Sequence, residues 1–301
     1  MRTLLQLWRM TCYEWFDAIR SRRAVVAILL CTAISVFAMY WLISLLGRLE
    51  KELTTVLQLP ENSRVGIVSE IVWQSKVFQR VVRQAFQNDA VFQDVSGLHP
   101  VSLIYGWLAF SYLPWLTVLI SSARIPEEVG GGSVRYVLFR SSRGVWLLGK
   151  FLGQLSLLGT AALFGGAAAW LTARYRIGEG ASLALFGSLL LWSVKGWILS
   201  IPYAGMVMGA SLFTRSAGKA LIAGVLILAV CFVLNAMLLT VRDFEGWRCV
   251  LPPLASLLPV EYQPCLWRKI GVPFFTGAAA LTLLGFFYLG IGYAFFKNKD
   301  V

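Results

Sequence analysis

Six long apolar segments constrain the fold of this 301-residue chain more than any other feature. They lie near 24–47, 101–122, 145–171, 181–211, 220–240 and 272–296. Each reaches the roughly 20 residues that a helix needs to cross about 30 Å of hydrocarbon. With 58% hydrophobic and 14% charged residues, the chain carries more apolar surface than one soluble core can bury. The sequence therefore predicts an all-α polytopic membrane protein with six transmembrane helices, since a β-barrel would show short alternating segments instead.

The distribution of positive charge predicts the orientation of these spans. With both termini cytoplasmic, the inside segments hold 14 Lys and Arg against 5 acids, and the outside segments hold 12 against 10 acids. This skew follows the positive-inside rule for a multi-pass protein of the inner, cytoplasmic membrane. Because the basic residues lie beside membrane ends, where anionic lipid attracts them, the net charge of +12 requires no nucleic-acid partner.

Residues 1–23 carry a helical pattern of their own. Apolar residues recur at spacings of three and four and face a polar stripe, which predicts an amphipathic helix lying in the membrane interface. Arg20, Arg22 and Arg23 would anchor this elbow helix and turn the chain into the first span. A generic basic flank of the first span would explain the charges but not the periodicity. The apolar stripe comprises Leu4, Leu5, Trp8, Cys12, Trp15, Phe16 and Ile19.

Two outside segments have distinct patterns. Residues 48–100 carry a roughly helical apolar stripe, which predicts a small extracytoplasmic element packed on its own spans or on an extracytoplasmic protein. Residues 241–271 are apolar but rich in proline, which favours short interfacial or re-entrant helices. Cys249 and Cys265 share this second segment, and either form a disulfide in an oxidising compartment or remain two lipid-shielded thiols.

Ionisable residues are sparse within the spans. The six segments contain no Asp or Glu, and the single histidine, His99, lies at a membrane end, so we expect no catalytic site and no metal site. The glycines at 130–132 lack the spacing of a phosphate-binding loop, so the chain itself is expected to bind no nucleotide. Lys195 is the exception within a span. It either snorkels outward between aromatic residues or lines a cavity that meets an anionic substrate group.

The segment between the second and third spans carries an acidic pair, a glycine cluster and an Arg-rich turn. Here the sequence resembles the permeases of type-2 ABC exporters. Their pattern reads roughly E-x-x-x-G-T, apolar residues, an Arg-rich turn and G-K-F. The matching residues are Glu128, Gly132, Ser133, Arg143, Gly149, Lys150 and Phe151.

Two further segments extend the resemblance over nearly the whole chain. The small-residue and basic loop at 211–217 resembles the family's loop between spans four and five. Pro259 and Glu261 resemble part of a motif found before the last span in the branch linked to copper-enzyme maturation, the nitrous oxide reductase accessory permeases.

The resemblance implies the transmembrane permease subunit of an ABC transporter, a non-catalytic subunit. It would work as a dimer, with a second permease copy and two cytoplasmic ATPase subunits that bind ATP and Mg. A coupling loop at 123–144 would meet the ATPase, and residues 24–301 would form the six-span domain. The residues that would contact the ATPase are Glu127, Glu128, Gly132, Arg135, Arg140 and Arg143.

Other functions remain open at this point. A scaffold that transmits ATPase-driven movement to an extracytoplasmic partner, without transporting anything, would use the same coupling loop and the element at 48–100. A membrane-embedded enzyme is disfavoured by the missing acids and histidines. The substrate, whether a copper or sulfur species, a lipid, a peptide or a drug, cannot be read from the sequence.

Overall fold

The computed structural model of the protein describes residues 2–57, 83, 89–139, 141–178, 182–241 and 255–297. Within these ranges the regular secondary structure is entirely helical. The helices are α1 (Arg2–Arg20), α2 (Arg23–Leu57), α3 (Asp89–Val95), α4 (Pro100–Ser121), α5 (Arg124–Gly130), α6 (Ser133–Leu138), α7 (Arg143–Ile177), α8 (Leu183–Ser211), α9 (Ala217–Val241), a 3₁₀ helix (Pro259–Tyr262), α10 (Gln263–Trp267) and α11 (Val272–Lys297).

The prediction of an all-α protein with six apolar spans is confirmed for the described residues. The helices long and apolar enough to cross a membrane occupy Arg23–Leu45, Val101–Gly130, Arg143–Ile177, Leu183–Ser211, Ala217–Leu238 and Val272–Lys297. The first of them belongs to α2, which continues beyond the apolar segment to Leu57. Most of the predicted helical element at 48–100 lies outside the described residues, apart from the end of α2, Arg83 and the segment that contains α3.

The span α8 is the centre of the bundle, since it packs against α4, α7, α9 and α11. Its contact with α11 is close because glycines face each other. A Cβ on Gly205 would lie 2.1 Å from the carbonyl oxygen of Gly285, and a Cβ on Gly292 would lie 2.5 Å from the Cα of Gly209. Small residues of this kind let the backbones of membrane helices approach each other.

The two ends of the bundle are built differently. At the end that we call the loop end lie α5, α6, the turn between α8 and α9, and the last residues of α11. Arg143, at the start of α7, contacts the last of these parts by donating to the carbonyl oxygen of Lys297 at 2.7 Å. The opposite end carries α3, the 3₁₀ helix and α10, with α3 and α10 in contact.

The N-terminal helix α1 lies along α7 at the loop end. Its side chains facing the protein include Glu14 and Ala18, which are buried, whereas Leu4, Trp8 and Phe16 of the predicted apolar stripe are exposed. Gly149 and Gly153 of α7 make this approach feasible. A Cβ on Gly149 would lie 2.6 Å from Cβ of Met10, and one on Gly153 would lie 2.7 Å from Cβ of Glu14.

Candidate functional site

Glu14 is the centre of a buried charge cluster at the loop end. Its side chain is surrounded by α1, α5 and α7, and only 4% of the residue surface is exposed. Glu14 Oε1 accepts a hydrogen bond from Arg124 Nε at 2.7 Å, and Oε2 accepts one from Lys150 Nζ at 3.0 Å. A single carboxylate therefore joins two buried cations that belong to different helices.

The cluster extends from Glu14 on both sides. Arg124 Nη2 also pairs with Asp17 Oδ2 at 3.0 Å. Lys150 Nζ pairs with Glu128 Oε1, and Trp146 Nε1 donates to Glu128 Oε2 at 3.2 Å. These contacts tie α5, the last part of the second span, to α1 and to the start of the third span.

The cluster contains charged groups whose burial is unfavourable unless they are paired. Because a buried ion without its partner retains the penalty of desolvation, each member depends on the others for its stability. Glu14, Arg124 and Lys150 are all at most 5% exposed. We therefore expect α1, α5 and the beginning of α7 to move as one body rather than to slide past each other.

The acidic residues of the predicted coupling loop form intramolecular contacts. Glu128 is directed to Lys150 and Trp146, and Glu127 Oε2 pairs with Arg23 Nη2 at 2.7 Å. The Arg23–Glu127 pair is partly exposed and connects α5 with the start of α2. Contact of either acid with an ATPase stays a prediction, but the surface that they could offer is limited by these partners.

The basic and glycine residues of that loop have separate positions. Gly132 has φ = +71°, a conformation that favours glycine and explains this residue between α5 and α6. Arg143 donates to the carbonyl oxygens of Phe296 and Lys297 and lies over the Phe296 ring, so it holds the end of α11. Arg135 belongs to α6, but its side chain lies outside the described residues, as does the whole of Arg140.

The arginines predicted to anchor the N-terminal helix differ in their contacts. Arg20 and Arg22 are exposed, and Arg22 adopts φ = +60° in the turn between α1 and α2. Only Arg23 of the three forms an ion pair within the described residues, the pair with Glu127. Contact of Arg20 and Arg22 with lipid head groups stays a prediction, and both side chains are exposed at the surface of the protein.

A groove of about 750 Å³ lies beside the charge cluster, between α1 and the segment that follows α5. Two large aromatic residues of that segment are strongly exposed, Tyr136 at 79% and Phe139 at 87%. Arg9 and Tyr13 of α1 line the other side of the groove. The loop end therefore offers exposed aromatic and cationic side chains next to the buried charge cluster.

Sequence reasoning missed the acid at the centre of the cluster. Glu14 was not distinguished from the polar residues of α1, and Arg124 was counted only as a basic residue near a membrane end. The available signal was the spacing of Met10, Glu14 and Ala18 at intervals of four, which places them on one face of a helix. In the structure Met10 and Glu14 of this face pack on Gly149 and Gly153 of α7.

Lys195 lies near the opposite end of the bundle and is only 2% exposed. Its Nζ donates to the carbonyl oxygen of Arg268 at 2.9 Å and lies 4.4 Å from the centre of the Trp192 ring. The side chain borders a cavity of about 260 Å³. Lys195 is thus directed into the protein, where it contacts the segment after α10.

Asp94 of α3 belongs to the same region. Burial alone would raise the pKa of this carboxyl group, but hydrogen bonds from the Arg268 side chain and the Lys269 backbone, with the charges of both residues, lower it below its ordinary value. His99, which lies just before the second span, accepts a hydrogen bond from Val101 N at 3.3 Å and caps α4. Burial lowers the pKa of His99, which favours the neutral ring.

The predicted disulfide cannot be placed. Cys249 lies outside the described residues, while Cys265 is half-buried in α10 with its Cβ against Gly277. The pairing of the two cysteines stays a prediction. Among the described residues, no group of three or more His, Cys, Asp or Glu side chains is arranged to hold a metal ion.

No protein-family model matches this chain, and no curated protein matches it. The resemblance to exporter permeases therefore depends on the sequence motifs.

Proposed function

We propose that this chain is the transmembrane permease subunit of an ABC transporter of the type-2 class, in the inner membrane with both termini cytoplasmic. It functions with a second permease copy and with two cytoplasmic ATPase subunits that bind ATP and Mg. The loop end is then the cytoplasmic end. The α1 helix lies in the interface as an elbow helix, with its exposed apolar side chains covered by lipid.

One observation carries the proposal. Glu128 and Lys150, which lie 22 residues apart and belong to the motif residues of the resemblance, form a direct ion pair. The same pair continues through Glu14 to Arg124. A subunit that pushes on α5 would therefore move α1 and the third span together, and rigid-body movement of this kind is one way in which proteins transmit a conformational change.

The groove between α1 and α6 is the ATPase contact in this proposal. Aromatic residues are enriched in the cores of protein–protein interfaces, and tyrosine is among the residues that most often dominate the free energy of binding. Tyr136 and Phe139 have this character and lie beside the cluster that would receive the movement. Arg9 adds a positive charge on the α1 side of the groove.

Replacement of Tyr136 and Phe139 by alanine is expected to weaken binding of the ATPase by about tenfold or more, since truncation of an interface hot spot typically costs about 2 kcal/mol. The measurement is co-purification of co-expressed ABC ATPase subunits, followed by titration of the purified partners. Tyr175→Ala is the matched control, because Tyr175 is 89% exposed at the other end of α7.

Two results would contradict the proposal in different ways. If the double variant binds the ATPase as the wild type does, the groove is not the contact. If no ABC ATPase binds the wild-type chain, the assignment to an ABC transporter fails. Direct transport by the reconstituted complex then separates a permease from a scaffold, which would hydrolyse ATP and move nothing across the membrane.

A further inference from the structure

The cavity at Lys195 has an excess of positive charge. Its lining includes Lys195, Arg268 and Lys269 and a single carboxylate, that of Asp94. The Asp94 carboxylate accepts a hydrogen bond from Arg268 Nε and forms an ion pair with this residue. Among the described residues no acidic side chain forms an ion pair with Lys195. The charge of Asp94 acts on Lys195 but is shared with Arg268 and Lys269, so the lining keeps an excess of positive charge that an anion in the cavity would balance.

Hydrogen-bond donors remain available in this cavity. An ammonium group has three N–H donors, and Lys195 uses one of them for the carbonyl oxygen of Arg268. The Arg268 guanidinium has five donors, and its Nη groups form no hydrogen bond to any part of the chain that the structure describes. Lys195 and Arg268 thus both have N–H donors available in the same cavity. This arrangement suits an oxyanion, whose several oxygens can accept hydrogen bonds from both residues.

Aromatic rings hold the lysine in position. Trp192 and Trp267 pack with their ring centres 4.7 Å apart, and Phe110 contacts both rings edge-on. Trp192 Nε1 is fixed by a hydrogen bond of 2.9 Å to Ser102 Oγ. A cation above a tryptophan face is stabilised by the ring, so Lys195 is held in place before any ligand arrives.

The size and the walls of the cavity restrict the ligand. A volume of about 260 Å³ is below the roughly 300–1,000 Å³ of sites that enclose a drug-sized molecule. Leu98, Leu191 and Ile270 also line it, and Ile270 is exposed. The space therefore suits a compact head group, with an attached apolar part left outside the cavity along the apolar wall.

We infer that this cavity binds the phosphate ester of an anionic amphiphile, with Lys195 and Arg268 contacting the phosphate oxygens. A phosphate monoester carries a charge of about −1.5 to −2 at neutral pH, which matches the net charge of the lining. Phosphatidate, a membrane lipid, and water-soluble phosphate monoesters share this group. The inference goes beyond the proposed transport function, because binding requires neither ATP nor a second subunit.

The test is binding of dihexanoyl phosphatidate to the purified chain in a nonionic detergent, measured by calorimetry. Dihexanoyl phosphatidylcholine has the same acyl chains with no net charge, and glycerol 3-phosphate has the phosphate ester without acyl chains. We expect phosphatidate to bind and phosphatidylcholine to bind at least about tenfold more weakly, because hydrogen bonds between charged groups are the stronger ones.

Three variants separate the ligand site from a structural role of the lysine. Lys195→Met is expected to weaken phosphatidate binding by about tenfold or more. Ser188→Trp fills the cavity while the bond from Lys195 to the Arg268 carbonyl stays intact, and should weaken binding to a similar extent. Lys219→Met, which removes an exposed cation at the loop end, should bind as the wild type does.

Equal affinity for phosphatidate and phosphatidylcholine, or unchanged phosphatidate affinity in Ser188→Trp, overturns the inference even if Lys195→Met fails to fold. Glycerol 3-phosphate binding as tightly as phosphatidate, with the same loss in Lys195→Met, supports the phosphate site and assigns a water-soluble source. Because no ATPase is present, a negative result leaves the proposed permease function standing.

Discussion

Glu14→Ala is expected to destabilise this protein by about 3–5 kcal/mol, the range for removing one partner of a buried ion pair. The carboxylate is buried and joins Arg124 and Lys150, so its loss leaves two cations without their common partner. Lys150 would keep Glu128 and Arg124 would keep Asp17. Thermal unfolding of the purified protein in detergent measures the effect.

Two comparisons make this result specific to the cluster. Asp17→Ala should cost about 1 kcal/mol or less, because Asp17 is partly exposed and pairs with one cation. The double variant Glu14→Ala/Lys150→Met should be less destabilised than the sum of its single variants, since one orphaned cation is removed with the acid. Equal melting temperatures for Glu14→Ala and Asp17→Ala would show that Glu14 does not hold the cluster together.

The cluster also changes how the coupling-loop acids should be tested. Charge reversal at Glu128 would place a cation beside Lys150 and the indole N–H of Trp146, so lost assembly could result from misfolding. Replacement of the exposed Tyr136 and Phe139 avoids this ambiguity, because their side chains are largely outside the fold.

The six spans could be predicted because membrane crossing requires only length and apolarity, both of which are local properties of the sequence. The position at which α2 ends could not be predicted in this way. Residues 48–57 are more polar than the span, but many of them are compatible with a helix, and α2 continues through them to Leu57. Hydropathy predicts the position at which an apolar segment ends. The helix itself ends where its backbone hydrogen bonds end, and this position can lie further along the chain.

Only part of the charge cluster could be identified from the sequence. Glu128 and Lys150 were found as motif residues, but their pairing depends on how α5 turns back toward α7. Glu14 was not singled out, because the helical pattern of α1 separates an apolar from a polar face but does not show which polar residue meets another helix. In α1 the apolar face is exposed, and the face with Glu14 and Ala18 packs on the protein.

Lys195 was conspicuous because a charge within a span is rare. Its surroundings were not predictable, because Arg268 and Asp94 come from segments 73 residues after it and about a hundred residues before it. The hydrogen bond to the Arg268 carbonyl and the aromatic cluster exist only when α3, α8 and α10 meet. Contacts between segments so far apart in the chain cannot be predicted from a local pattern of hydropathy or charge.

The second large effect is expected at the contact between α8 and α11. Gly205→Ala should destabilise the protein by about 3 kcal/mol, the upper part of the range for overpacking. The new Cβ would lie 2.1 Å from the Gly285 carbonyl oxygen and 2.8 Å from its carbon. Both are backbone atoms, so no rotamer change can relieve the overlap and the two helices must separate.

Gly290→Ala is the matched control for this prediction. Gly290 belongs to α11, as Gly285 does, but a Cβ there would meet nothing within 4 Å. Alanine is the better helix former, so this variant should be about as stable as the wild type or more stable by about 0.5–1 kcal/mol. Thermal unfolding of both variants in one detergent compares them directly. If Gly205→Ala unfolds at the temperature of Gly290→Ala, the close approach of α8 and α11 is wrong, because a methyl group could not be accommodated between backbones at the distances described.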